Sequence, residues 1–276
     1  MTLNEALVVA IQALKNAGVP DAANDARILL ANALEIERSR LTLILPDEMS
    51  EVALARYTDR IDARCQRKPV SQIIGTRAFY GREFVVTPEV LDPRPETELL
   101  VETALAQPFD TVLDIGVGSG CILLTLLAET ESTTGCGADI SDAALDVARQ
   151  NAKRFALGAR SQLITSDWFT DIRDRFDLIV SNPPYVTADE MLDLSPEVRN
   201  WEPEIALTPG GDGLDAYRII AASAKQYLTS RGCLIVEIGH TQSASVQALF
   251  QAAGFKGITT LKDLDGRDRV VVGNVS

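Results

Sequence analysis

Long hydrophobic runs are missing from this 276-residue sequence: no window approaches 18 uncharged apolar residues, so no membrane-spanning helix is predicted. Histidine is nearly absent, with His240 alone, and the four cysteines at 65, 121, 136 and 233 form no CxxC pair. That scarcity leaves no zinc constellation to assemble, and buried, unreactive thiols are the expected state of the cysteines. Positive charge is also short: 26 Lys and Arg face 39 Asp and Glu, for a net charge of −13. Non-specific binding to phosphate backbones needs clustered Lys and Arg, so nucleic acid is not expected as a direct partner. No basic segment leading into an apolar run follows Met1, and no repeat or low-complexity tract interrupts the chain. A cytoplasmic protein without a membrane partner is expected.

What is present is an ordinary globular composition, 46% hydrophobic and 24% charged, in a chain long enough for two modest cores. The first seventy residues read as helices. Leu3, Ala6, Leu7, Ala10, Ile11 and Leu14 recur at helical spacing up to Gly18, and a second helix restarts after Pro20. Leu41–Leu45 is a third short segment, stopped by Pro46, and Ser50 is a suitable N-cap for a helix reaching about Lys68. On that helix Arg56, Arg60, Arg64 and Lys68 fall four residues apart, as a basic stripe that is either solvated or a docking face. From Pro69 to Thr87 the period shifts towards two around Gly75 and Gly81, which predicts a β-hairpin linker over 71–92. Pro93-Arg94-Pro95-Glu96-Thr97-Glu98 reads as a rigid loop opening a helix.

Residues 93–276 then alternate strand and helix. Strands are predicted at Thr111–Ile115, Thr134–Asp139, Gln162–Thr165, Asp177–Ser181, Gly232–Ile238 and Arg269–Val272, with a weaker one near Ile258–Leu261. Helices are predicted at Ile122–Glu129, Asp142–Phe155, Ala216–Leu228 and Ser243–Ala253. Such alternation gives an α/β doubly wound sheet that binds its ligand at the carboxyl ends of the strands. The first seventy residues carry nine basic and ten acidic side chains, so nearly all the acidic excess lies in this part.

The first strand ends in Asp114-Ile-Gly116-Val117-Gly118-Ser119-Gly120 immediately before a helix. Glycines there permit a tight turn and close backbone approach, and a helix N-terminus presents free N–H groups. A dinucleotide fingerprint would need glycine at Cys121, whereas the observed spacing resembles the cofactor loop of class I methyltransferases. Asp139 ends the second strand, where a carboxylate can accept both hydroxyls of a ribose. Trp168 follows the third strand, where an indole can stack on a base.

The fourth strand runs into Asn182-Pro183-Pro184-Tyr185. Two prolines forbid further ladder donation and leave the Asn182 and Pro183 carbonyls pointing off the sheet. The Asn182 side-chain oxygen and the Pro183 main-chain oxygen can hold the two hydrogens of a planar NH2 group, with Tyr185 packed on its flat face. Polarising those N–H bonds helps an otherwise poor nucleophile attack a methyl group. His240 could serve as a base, although its place at a strand-to-helix turn favours a capping or surface role.

Taken together, Pro69–Gly75, Phe84-Val-Val, Pro93–Glu98, Asp114–Gly120, Asn182–Tyr185, Trp201–Leu207 and Gly210–Leu214 resemble the HemK/PrmC family of N5-glutamine methyltransferases. The resemblance implies a Rossmann-like class I domain behind a small helical N-terminal domain, and S-adenosylmethionine as cofactor with S-adenosylhomocysteine as product. It implies methylation of the glutamine of a Gly-Gly-Gln motif in peptide chain release factors. Asp114, Gly116, Val117, Gly118, Ser119, Gly120, Asp139, Trp168 and Asn182 would contact cofactor. Asn182, Pro183, Pro184 and Tyr185 would hold substrate, with Asn182, Pro183 and Tyr185 as the reacting loop, while the helical domain docks the release factor. Asp92 departs from the family pattern, where an aliphatic residue is usual, and Trp201 stands where Tyr is common. Two other readings remain: an adenine-N6 methyltransferase, which would want a basic face, and a non-catalytic module, which would not need both loops.

Overall fold

The computed structural model describes residues 1–276 and resolves into two compact units, Met1–Thr76 with Ser195–Trp201, and Arg77–Leu194 with Glu202–Ser276. The first unit begins with helices α1 (Leu3–Asn16), α2 (Ala22–Ala33), α3 (Leu41–Ile44), α4 (Glu51–Cys65) and α5 (Val70–Ile74). A hairpin, β1 (Thr76–Phe79) and β2 (Arg82–Val85), precedes α6 (Glu98–Leu105). Then come β3 (Thr111–Ile115), α7 (Cys121–Glu129), β4 (Thr134–Asp139), α8 (Asp142–Arg154), β5 (Ser161–Thr165) and β6 (Phe176–Ser181). Two short helices, α9 (Pro196–Trp201) and α10 (Glu204–Leu207), lead to α11 (Asp215–Tyr227) and β7 (Leu228–Glu237). The chain finishes with α12 (Ser243–Ala252), β8 (Lys256–Lys262) and β9 (Asp268–Asn274). No helix is long and apolar enough to cross a membrane.

In the helical unit Thr2 and Glu5 form a reciprocal cap on α1, and Ser50 caps α4 through the Ala53 N–H. Leu7, Leu14, Leu29, Leu30, Tyr57 and Ile61 make its core. Two expectations are corrected here. Residues 70–74 form a helix, not part of the hairpin: Pro69 sits at its N-cap, Gly75 ends it at φ +82°, and Val70, Ile73 and Ile74 pack on the helical core. A short apolar run does not reveal its own period. The helical unit therefore extends to Thr76, beyond the expected boundary at 70.

The basic stripe is the second correction. Arg56 is exposed beside Glu35 at 2.7 Å, Arg60 donates to Asn32 Oδ1, and Lys68 lies past the end of α4, over the Trp201 ring. Arg64 is buried, 2.8 Å from Asp25 Oδ2 and 2.9 Å from Glu197 Oε1. Arg67 adds two bonds to Glu197, each 2.7 Å, and the Trp201 indole N–H donates to the Gln66 carbonyl. These bonds place α9 in the helical unit, although more than a hundred residues separate it from α4.

In the second unit seven strands lie in the order β5-β4-β3-β6-β7-β9-β8, all running the same way except β9, which is antiparallel to both its neighbours. Alternate residues point to opposite faces and both faces are covered, as a doubly wound sheet requires. Val112, Val180, Ile235 and Val270 pack with α6, α7 and the hairpin phenylalanines Phe79 and Phe84. Leu113, Ile179, Val236 and Val271 face α11 and α12, against Tyr217, Ile220, Val246 and Phe250.

Candidate functional site

Strands β3 and β6 are parallel neighbours whose last residues pair, Ile115 with Ser181, and the Ser181 hydroxyl donates to the Ile115 carbonyl at 2.7 Å. The glycine loop and Asn182 therefore leave the sheet side by side. From β3 the chain winds outward through β4 and β5, and from β6 the other way through β7, so this is the topological switch point. Asp139 at the end of β4 pairs with Thr165, and the Ser166 N–H donates to the Asp139 carbonyl. Four strand ends thus frame a cleft of about 270 Å³ lined by Gly116–Ser119, Cys121, Asp139, Trp168, Asn182 and both prolines.

Gly116 and Gly118 have φ of +74° and +52°, and a Cβ built on either would meet nothing within 4 Å. The turn needs glycine for its backbone conformation, and the space left above it is open to a ligand. Gly120 differs: its Cβ would stand 2.9 Å from Leu124 Cδ1, so it seats α7 against the loop and does not line the cleft. Asp139 accepts the Gly118 N–H on Oδ2 and the Ser141 N–H on Oδ1, which fixes its carboxylate at the cleft. Ser141, not Asp139, caps α8. Trp168 has φ +53°, a conformation held by the Ser166 hydroxyl, which donates to the Trp168 carbonyl and accepts the Asp171 N–H. An amino-acid group over the glycine turn, a ribose at Asp139 and a base near Trp168 all find matching chemistry here. The Cys121 thiol, pushed up to about 12 by burial, stays protonated and serves as lining.

Asp114 departs from its expected place. Strand parity points it to the face of Val112, beneath α7, where Oδ2 accepts the Leu123 N–H at 3.2 Å and Oδ1 accepts nothing. It is fully buried and does not line the cleft. Burial raises its pKa to about 7; the Leu123 bond opposes this and the Asp139 charge adds to it. The folded chain therefore holds this proton more tightly than the unfolded chain does, and stability from it is complete below about pH 4 and lost as pH rises through about 7. Between those limits each pH unit costs about 1.4 kcal/mol at this group. Asp114→Asn should flatten that part of a pH series of unfolding free energies; an unchanged slope would contradict it.

Asn182 donates its Nδ2 to Thr97 Oγ1 at 3.2 Å, and Thr97 in turn donates to Glu237 Oε2 at 2.6 Å. Neither Asn182 Oδ1 nor the Pro183 carbonyl accepts a hydrogen bond within the chain, and both residues line the cleft. Tyr185 is a further correction: it does not face this cleft. Its phenol donates to Glu237 Oε1 at 3.2 Å and its ring lines a second cavity with Arg269 and exposed His240. Packing on the Tyr217 side of the sheet and the pull of a buried carboxylate turn it away.

Sequence reading missed Thr97 and Glu237. The signal for Glu237 was present, since a carboxylate closing the apolar run Leu234-Ile-Val-Glu237 needs a buried partner. It also missed Ile140 and Ile205, which line the cleft while 53% and 59% exposed. Arg94 at the rim donates to both oxygens of buried Glu202, at 2.8 and 2.7 Å. Asp92 is buried 3.7 Å from the Arg77 guanidinium, a counter-charge for a carboxylate at this place.

Residues 5–75 match the family model for the PrmC N-terminal domain, and residues 87–198 match the methyltransferase small domain. The chain is 53% identical over 271 residues to the release factor glutamine methyltransferase of Cereibacter sphaeroides, covering 98% of each. It is 44% identical to that of Caulobacter vibrioides, covering 99% of this chain and 96% of the other. Among solved structures, a methyltransferase from Pyrococcus furiosus superposes with a TM-score of 0.55 at 15% identity, over 79% of this chain and 99% of that one. That likeness concerns the fold; the sequence identities, sustained over both units, place the chain in the release factor glutamine methyltransferase family, HemK/PrmC.

Proposed function

We infer that this protein transfers a methyl group from S-adenosylmethionine to the side-chain amide nitrogen of the glutamine in the Gly-Gly-Gln motif of peptide chain release factors. The observation that carries the reading is the juxtaposition of the glycine turn and the Asn182-Pro183 acceptors across the β3–β6 pair, in a chain of this family. S-adenosylmethionine supplies an electrophilic methyl group on a sulfonium and is released as S-adenosylhomocysteine. Gly116–Ser119, Asp139 and Trp168 are the residues that would hold it. The amide nitrogen is a weak nucleophile because its lone pair is shared with the carbonyl. Asn182 Oδ1 and the Pro183 carbonyl accept its two hydrogens, orient the lone pair and draw positive charge towards themselves as it develops. No strong base is needed, because the nitrogen becomes acidic on methylation and an acceptor already holds each proton. Pro183 and Pro184 keep this loop from rejoining the sheet.

The helical unit is the part we assign to docking the release factor, and modification of a translation factor fits a cytoplasmic site of action. The acidic charge of the second unit argues against nucleic acid as substrate. Incubation of the protein with labelled S-adenosylmethionine and a release factor, followed by mass spectrometry, should place one methyl group on the glutamine amide. Label recovered on adenine in nucleic acid, with none on that glutamine, would overturn the assignment.

A further inference from the structure

Glutamine and glutamate have nearly the same shape, so the cleft must tell them apart by hydrogen-bond polarity. An asparagine side chain offers an acceptor on one side and a donor on the other, and its surroundings decide which faces a ligand. Thr97 has a single hydroxyl hydrogen. A carboxylate at Glu237 has none to give, so Thr97 spends its hydrogen on Glu237 Oε2, at 2.6 Å, and has only lone pairs left for Asn182. The Asn182 NH2 must then turn to Thr97, at 3.2 Å, which leaves Oδ1 to the cleft.

Glu237 reaches this position by strand parity. It lies on the same face as Cys233 and Ile235, beneath the start of α6, and is 1% exposed. Burial works against its charge; the Thr97 bond, the guanidinium of Arg269 and the Tyr185 phenol work for it. One carboxylate thus ties Thr97 and Tyr185 together and, through Thr97, both ends of the acceptor tetrapeptide.

We propose that Glu237, acting through Thr97, is a positioning residue that fixes the polarity of Asn182, and so selects a neutral amide over a carboxylate. The inference rests on the reading that Asn182 holds the target NH2. Reversed polarity would present Nδ2 to the cleft, which repels an N–H donor and welcomes a carboxylate oxygen.

The test uses the whole protein, a release factor with its native glutamine, and the same factor with that glutamine replaced by glutamate as competitor. Thr97→Val removes the hydroxyl that holds the Asn182 NH2. It should lower kcat about 10- to 100-fold, and improve binding of the glutamate form relative to the glutamine form about fivefold or more. Glu237→Gln can donate to Thr97 and should shift the same ratio in the same direction. Thr97→Ser restores the hydroxyl and should stay within about twofold of the unaltered protein on both measures. A glutamate-to-glutamine binding ratio that moves in neither Thr97→Val nor Glu237→Gln overturns the proposal, even where kcat falls, because a purely structural loss lowers turnover without changing selectivity. Asn182→Ala separates the two levels: if it remains active, the acceptor-loop reading itself fails, and if it is inactive while that ratio is unmoved, only the polarity proposal fails.

Discussion

Asn182→Ala should reduce methyl transfer about 100- to 1000-fold while leaving the affinity for S-adenosylmethionine nearly unchanged. The asymmetry follows from what the side chain touches. Its only bond within the chain goes to Thr97, which remains anchored on Glu237, so the strand end and the glycine turn keep their positions without it. On the proposed mechanism, what is lost is one of two acceptors for the amide hydrogens. The Pro183 carbonyl survives, so the nitrogen keeps one anchor and loses its orientation, the kind of change that lowers kcat more than it raises KM. Calorimetry with the cofactor and single-turnover kinetics with a release factor measure the two halves separately. Turnover within tenfold of the unaltered protein would remove Asn182 from the reacting loop.

The largest effect on stability is expected at Arg64. Arg64→Ala leaves Asp25 and Glu197 close together in the helical unit, with Arg67 the remaining partner of Glu197. Burial alone would push the Glu197 carboxyl up, yet its bonds from Arg67 and then Arg64 bring it down to about 2, so it is fully charged at neutral pH. Stranding such charges costs about 3–5 kcal/mol, whereas an exposed pair such as Arg56–Glu35 is worth under about 1 kcal/mol. Urea unfolding of Arg64→Ala and Arg56→Ala side by side tests the contrast. Similar midpoints for the two would mean that the buried ions are not what closes the helical unit.

The difference between those two arginines also shows where sequence reading stops. Arg56, Arg60 and Arg64 share a helix face by spacing, yet that face is exposed at one end and buried at the other, because Glu197 arrives from a distant segment. No local pattern announces such a partner. The central strands β3, β6 and β7 were legible because their buried runs are largely apolar on both faces, and the two ligand loops because glycine and proline spell out backbone geometry directly. Tyr185 and Asp114 were legible as members of their motifs but not in their directions. Asp114 is turned under α7 by strand parity, and Tyr185 is drawn to Glu237, which occupies the neighbouring strand. The hairpin was expected over 71–92, but its first strand begins only at Thr76, because the short apolar run before it, Val70–Ile74, folds as a helix.

The capture of residues 195–201 by the helical unit bears on how the chain is made. A ribosome delivers Arg64 and Arg67 long before it delivers Glu197, 130 positions after Arg67. During that interval the nascent helical bundle holds two guanidiniums without their shared counter-ion. Its final closure waits until β6 and the acceptor tetrapeptide have emerged. Proteolysis between Thr76 and Ser195 would likewise divide one folding unit into two pieces, so a fragment ending at Thr76 should fold less stably than the same helices in the whole chain. The N-terminal helices thus emerge well before their unit can be completed, which happens only once Trp201 has followed.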